Sequence, residues 1–192
     1  CPTINMLNTK YFILPTQQDG TMPLANPNAY GNAWFVGKVV YAATAREEMD
    51  MLKRIDRRNE AVVGKDFAAA LGNATELRRD SADAITLTAY EPNKLTYEVS
   101  SANGGVAVLS EVYYPGWTAE LDGQEIQIAR ADYVLRAVKV PAGKHTLVLT
   151  FDPASLKTTE AVAYVAMAVM LLALVCAAII SLRRRKTAKV KE

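Results

Sequence analysis

The sequence predicts a mainly β protein, in which a small α+β unit precedes an antiparallel β-sandwich that is followed by one C-terminal transmembrane helix. Three observations predict it. From Ala84 onward apolar and polar residues alternate with period two, and turn residues recur roughly every eight to twelve positions, which is the pattern of short sandwich strands. Before Ala84 the chain instead mixes a strand-like run with a helix-like one. Residues 161–182, AVAYVAMAVMLLALVCAAIISL, carry no charge, no Pro and no Gly. As a helix this stretch is about 33 Å long, enough to cross a hydrocarbon core of about 30 Å.

Taken in order, residues 4–14 read as a helix end or turn and then a short strand at 11–14, and the Pro, Gly, Asn and Gln of 15–32 read as a loop. The aromatic and β-branched run 33–42, AWFVGKVVYA, predicts one strand. Thr44 with Glu47 three residues on fits a capping box, and Glu47, Glu48 and Asp50 suit the positive end of a helix. Met49, Leu52 and Ile55 form its apolar stripe, ending near Arg57 and Arg58. Short apolar pieces at 60–63 and 67–71 and a polar loop at 72–83 complete the first unit, 1–83.

In the sandwich, 84–153, Ile85, Leu87 and Ala89 alternate with polar neighbours up to the Glu91-Pro92-Asn93 turn, and Leu95, Tyr97 and Val99 do so up to Asn103-Gly104-Gly105. Residues 106–113 form a more continuous apolar run, as in a strand buried on both faces. Strands at 117–121 and 124–128 flank Asp122-Gly123, a pair suited to a type I′ hairpin turn. Two more, 133–140 and 144–151, are joined by Pro141-Ala142-Gly143. Residues 154–160 then read as a juxtamembrane linker, 161–182 as the span and 183–192 as a basic tail.

The tail RRRKTAKVKE holds six basic residues and one acid, so the positive-inside rule puts it in the cytoplasm, and residues 1–160 outside. Arg183, Arg184, Arg185 and Lys186 are the residues expected against anionic lipid headgroups. Without the tail the chain has 16 basic and 19 acidic residues, which excludes a nucleic-acid footprint. Cys176 lies inside the span and has no partner outside it, so no disulfide framework is expected. Cys1 admits two readings, a lipidated N-terminus or numbering that begins inside a longer polypeptide; the second is preferred, because a lipid would duplicate the spanning helix.

Four stretches, NMLNTKYFI (5–13), NPNAYGNAWFV (26–36), YYPGWTAELDG (113–123) and VPAGKHTLVLTF (140–151), resemble the C-terminal part of YfhO-type bacterial membrane proteins. That family is similar to polytopic membrane glycosyltransferases that use polyprenyl-phosphate sugars, and the resemblance implies a role in glycosylating cell-surface polymers. It also implies a bacterial cytoplasmic (inner) membrane location and, as partners, the bilayer and further spanning helices of the same polypeptide upstream of Cys1. In such enzymes the catalytic acid lies in an early external loop, so no catalytic residue carries over and the chain is expected to be non-catalytic.

Tyr113, Tyr114, Trp117 and Asp122 are the groups that suit a cell-surface glycan, since aromatic faces stack on sugar rings and a carboxylate accepts from hydroxyls. The competing reading makes the aromatics sandwich core and Asp122 a turn residue. Arg130, Asp132 and Arg136 bracket Tyr133 and read either as a phosphate site or as surface charge pairs. His145 is the only His, and the expectation is that the chain contains neither a His-cluster metal site nor a His-dependent triad; no cofactor is expected. Tyr164, one turn into the span, fits an interfacial anchor. The alternative function from another class is a stand-alone membrane-anchored β-sandwich that binds carbohydrate or protein.

Overall fold

The computed structural model of the protein describes residues 2–16 and 20–189, with side chains through Ile180 apart from those of Ala154 and Lys157. It forms two units, Cys1–Phe151 and Asp152–Glu192. In the first, α1 (Pro2–Met6) leads to a hairpin of β1 (Tyr11–Pro15) and β2 (Thr21–Ala25) that pairs with no other strand. Next come β3 (Ala33–Val36), β4 (Lys38–Ala42), α2 (Ala45–Leu52) and β5 (Glu60–Gly64), two 3-10 turns at Lys65–Phe67 and Ala69–Leu71, and then β6 (Ala84–Glu91), β7 (Lys94–Ser101) and β8 (Gly105–Val112). The unit closes with β9 (Trp117–Leu121), β10 (Gln124–Ile126), β11 (Ala129–Ala131), β12 (Leu135–Val140) and β13 (Gly143–Phe151).

A five-stranded sheet, β10-β9-β13-β7-β6, is antiparallel throughout. The six-stranded sheet runs β3-β8-β12-β11-β5-β4 and is antiparallel except for β4 and β5, which are parallel and joined through α2. Its two outer strands are separated by Gly37 alone. Six flat strands would hold them about 24 Å apart, so the sheet curls back on itself. The break that sends one run of sequence to both edges has a local cause. Gly37 N donates to Asn59 O at 2.7 Å, and a Cβ on Gly37 would meet Asn59 Oδ1 at 2.8 Å. The single strand expected over 33–42 is therefore two.

Burial follows strand parity. Trp34, Val36, Val106, Val108, Leu135 and Ala137 line the inside of the curl, where α2 contributes Leu52 and the second 3-10 turn Leu71. Their neighbours Phe35, Ala107, Leu109, Val138 and Val140 face outward and pack on Leu95, Tyr97, Val99, Leu147 and Leu149 of the other sheet. The chain is thus mostly β, with antiparallel sheets and one apolar C-terminal helix, as the sequence predicts. The boundary drawn at residue 83 divides no structure: β3, β4 and β5 share a sheet with β8, β11 and β12, and Cys1–Phe151 is one unit.

The capping box forms, Glu47 N donating to Thr44 Oγ1 at 3.2 Å while Glu47 Oε2 accepts from Ala43 N at 2.7 Å. The helix is shorter than its stripe suggests, because Arg54 and Ile55 both donate to Met51 O and turn the chain away. Residues 15–32, expected to be loop, contain β2; Pro23 and a wholly exposed strand hide its period. The Asp-Gly hairpin turn is as expected, with φ of 51° at Asp122 and 79° at Gly123. In the second unit α3 (Ala154–Lys189) includes the residues expected as a linker. Within it Thr158–Ile180, of mean hydropathy 2.7 and unburied, is long and apolar enough to cross a membrane.

Candidate functional site

Strand register sorts the polar and aromatic side chains of the first unit into three places. At the end where β13 finishes, Phe151 lies opposite Trp117, and Phe151 N donates to Asn93 O at 2.8 Å. Trp117 is half-buried, with its ring 5.4 Å from that of Phe151 and the Arg136 guanidinium 4.0 Å from its centroid. Arg136 shares the parity of Val138, on the face turned to the other sheet, and is 3 % exposed. Its Nε donates to Val112 O at 2.9 Å, and its Nη1 finds no partner among the described residues. Burial lowers the guanidinium pKa, against the opposing pull of Glu111. The Tyr97 hydroxyl, also unpartnered there, has its pKa pushed up by burial and then by Glu111. Tyr114 is exposed, 6.1 Å from Phe151. Tyr113 turns away to meet Phe67 edge-on at 5.4 Å.

Asp122 lies at the other end of β9, about 17 Å away by strand rise. It accepts from Thr146 N at 2.8 Å and from His145 Nδ1 at 2.7 Å, while His145 Nε2 faces Ala142 O at 3.2 Å. A carboxylate and a carbonyl are both acceptors, so only the imidazolium satisfies both nitrogens. The His145 pKa is accordingly raised, first by Asp122, and that of Asp122 lowered, first by the Thr146 amide and then by His145. Both ring nitrogens of His145 are thus engaged, one by Asp122 and one by Ala142. The Asp122–His145 pair closes one end of an open groove of about 640 Å³ over the outer face of β6, β7 and β13, lined also by Thr86, Glu98, Lys144 and Thr146.

The third place is a buried acid pair. Glu48, 1 % exposed, accepts from Arg130 Nη2 at 3.0 Å and from Tyr133 N at 2.7 Å. Asp132 is fully buried at φ 50°, and its Oδ1 accepts from Val62 N at 2.9 Å. Burial raises its pKa to about 7, although the Val62 amide pulls the other way. Tyr133 follows at φ 71°, a second left-handed non-Gly residue. Such backbone holds only where its surroundings over-determine it; here the turn is pinned by α2 through Glu48 and by β5 through Val62. The arrangement is a structural clamp. Arg130, Asp132 and Arg136 therefore do not converge: Arg130 pairs with Glu48, Asp132 with the Val62 amide, and Arg136 stacks on Trp117.

Of the four residues expected at a glycan, the structure brings Tyr114 and Trp117 together around Phe151, sends Tyr113 to Phe67, and leaves Asp122 in the groove at the opposite end. Trp117 is covered by Arg136 and Phe151, so Tyr114 is the aromatic of the set with an open face. Arg183, Arg184, Arg185 and Lys186 continue α3, and their side chains lie outside the described residues. Sequence reasoning missed Glu48, although its i, i+4 spacing from Leu52 on the apolar stripe was a signal. It also missed the Asp122–His145 contact, which depends on register and leaves no local trace.

The fold defines a β-sheet domain joined to a helix long and apolar enough to span a membrane. Residues 73–163 match the family model described as bacterial membrane protein YfhO. The match runs from the loop before β6 through β13 and into the start of α3, so that part of the chain is similar to a YfhO-type membrane protein. Two of the four stretches that resemble the family, 113–123 and 140–151, fall inside it. Neither the curated proteins nor the solved structures match the chain.

Proposed function

We propose that this chain is the non-catalytic, extracytoplasmic C-terminal domain and last membrane helix of a YfhO-type integral membrane protein that glycosylates cell-surface polymers. One observation carries the reading: the family match runs without a break through β6 to β13 and into the first residues of the apolar helix, ending at residue 163. The basic residues from Arg183 to Lys191 favour a cytoplasmic tail lying against inner-leaflet headgroups. The partners are the bilayer, the other spanning helices of the polypeptide and the acceptor glycan. The polar groove beside Asp122 supports the last of these, since Thr86, Glu98, Lys144 and Thr146 offer donors and acceptors to sugar hydroxyls. With His145 held on both nitrogens and Asp132 sealed from solvent, the domain positions an acceptor for chemistry performed elsewhere in the polypeptide.

The test is an allele lacking the codons for residues 84–151, in a strain where membrane fractionation confirms normal abundance of the shortened protein. Sugar analysis of the surface polymers should show loss of one decoration, and unchanged decoration contradicts the role. The chain alone, in nanodiscs with polyprenyl-phosphate sugars, should release no sugar; release would make it catalytic.

A further inference from the structure

The exposed apolar side chains of the first unit are confined almost entirely to one end. Tyr90, Val112, Tyr114 and Tyr133 are 67, 57, 61 and 38 % exposed. All four sit where β13 ends: Tyr90 is paired with Leu95 beside the turn that bonds Phe151, and Val112 is paired with Leu135, just after Tyr133. The turns at the opposite end, 103–104, 122–123 and 141–143, carry no exposed large apolar residue among the described ones.

The β1–β2 hairpin enters at that same apolar end. Its base is closed by Asn26 N to Lys10 O at 2.8 Å and is fastened there by Asn8 Nδ2 to Asn32 Oδ1 at 2.7 Å, while Asn32 O accepts from Ser110 N, two residues before the end of β8. Register puts Phe12, Leu14, Met22 and Leu24 on one face of the hairpin and Tyr11, Ile13, Pro15 and Pro23 on the other. Leu14, Met22 and Leu24 are 41, 52 and 50 % exposed. A lone two-stranded hairpin is marginal in water, and this one offers apolar groups to it on both faces.

Its edges disfavour one kind of cover. The bonds from Asn26 to Lys10 and from Thr16 to Gly20 mark the hydrogen-bonded pairs. Two-residue alternation then turns the nitrogens of Pro15 and Pro23 outward on the two free edges. Proline there has no N–H to give, so each edge is interrupted as a template for a further strand. The faces remain for a cover to meet. Residues 152–157 join this end to the apolar helix, a stretch of chain no longer than about 20 Å when extended. The surface within that reach is the bilayer crossed by Thr158–Ile180.

We propose that the β1–β2 hairpin, with Tyr90, Val112 and Tyr114, is a lipid-contact surface whose Phe12, Leu14, Met22 and Leu24 face enters the interfacial zone of the bilayer. The proposal rests on the membrane-spanning reading of α3. Tyr and Phe suit the headgroup level, and the hairpin edges require water or headgroup donors and acceptors, which limits entry to that depth.

The full chain, in a Cys1→Ser, Cys176→Ala background, would be spin-labelled singly at Leu24→Cys, Lys144→Cys or Ala173→Cys. Each is reconstituted in vesicles of phosphatidylethanolamine and phosphatidylglycerol, and collision with oxygen is compared with collision with a water-soluble nickel chelate. The Leu24 label should favour oxygen, as the Ala173 label does, and the Lys144 label should favour nickel. An Ala173 label that favours nickel removes the spanning reading and this proposal with it. An Ala173 label in lipid with a Leu24 label open to nickel overturns the lipid contact alone. A Leu24 label shielded from both reagents also overturns it, assigning the hairpin to a protein interface.

Discussion

Trp117 is held from above by a cation that has lost its water. The Arg136 guanidinium keeps one backbone bond, to Val112 O, stacks on the indole face at 4.0 Å and is favoured by the nearby Glu111 charge. Trp117→Ala removes a half-buried ring and the face on which that buried charge stacks, so it should cost about 2–4 kcal/mol. Urea denaturation of the full chain in nanodiscs, followed by the fluorescence of the buried Trp34, measures it; wild-type stability would mean that Arg136 and Trp117 do not support one another. Asp132 works in the reverse sense from a surface carboxylate. Its pKa rises from 3.8 to about 7 on folding, so the native state holds the proton more tightly than the unfolded chain. Stability from this group is full below about pH 4, falls as pH rises through 7, and is flat beyond. Asp132→Asn keeps the acceptor for Val62 N and suits φ 50°. It should raise stability at pH 8 by about 2–4 kcal/mol and change it little at pH 4. Equal effects at both values would show that Asp132 does not titrate in this range.

At the scale of elements, α2 depends on its first turn. Thr44→Ala removes the acceptor for Glu47 N and should cost about 1 kcal/mol, read in the same denaturation experiment. No change would mean that Glu48 and Leu52 hold the helix without its cap. Which elements could be read in the sequence follows from what buries them. β7 was legible because one face meets the core at Leu95, Tyr97 and Val99 while Thr96, Glu98 and Ser100 face out. β2 was not, because neither face is buried and Pro23 interrupts it. The break at Gly37 was invisible, since it is set by Asn59, over twenty residues away. The site divides the same way. Trp117 and Asp122 stand out by residue type, but what they do is decided by Arg136 and His145, which only strand register places beside them.

At the scale of the molecule, the β-sheet unit is polarised. Its polar groove and held Asp122–His145 pair lie at one end, and its exposed aromatics, its hairpin and the exit toward the apolar helix lie at the other. The central claim is that the domain lies outside the cytoplasm and the basic tail inside. The most direct measurement fuses, after Glu192, either a phosphatase active only outside the cytoplasm or a fluorescent protein that matures only within it. The account predicts a silent phosphatase and bright fluorescence, and an active phosphatase with no fluorescence would contradict it.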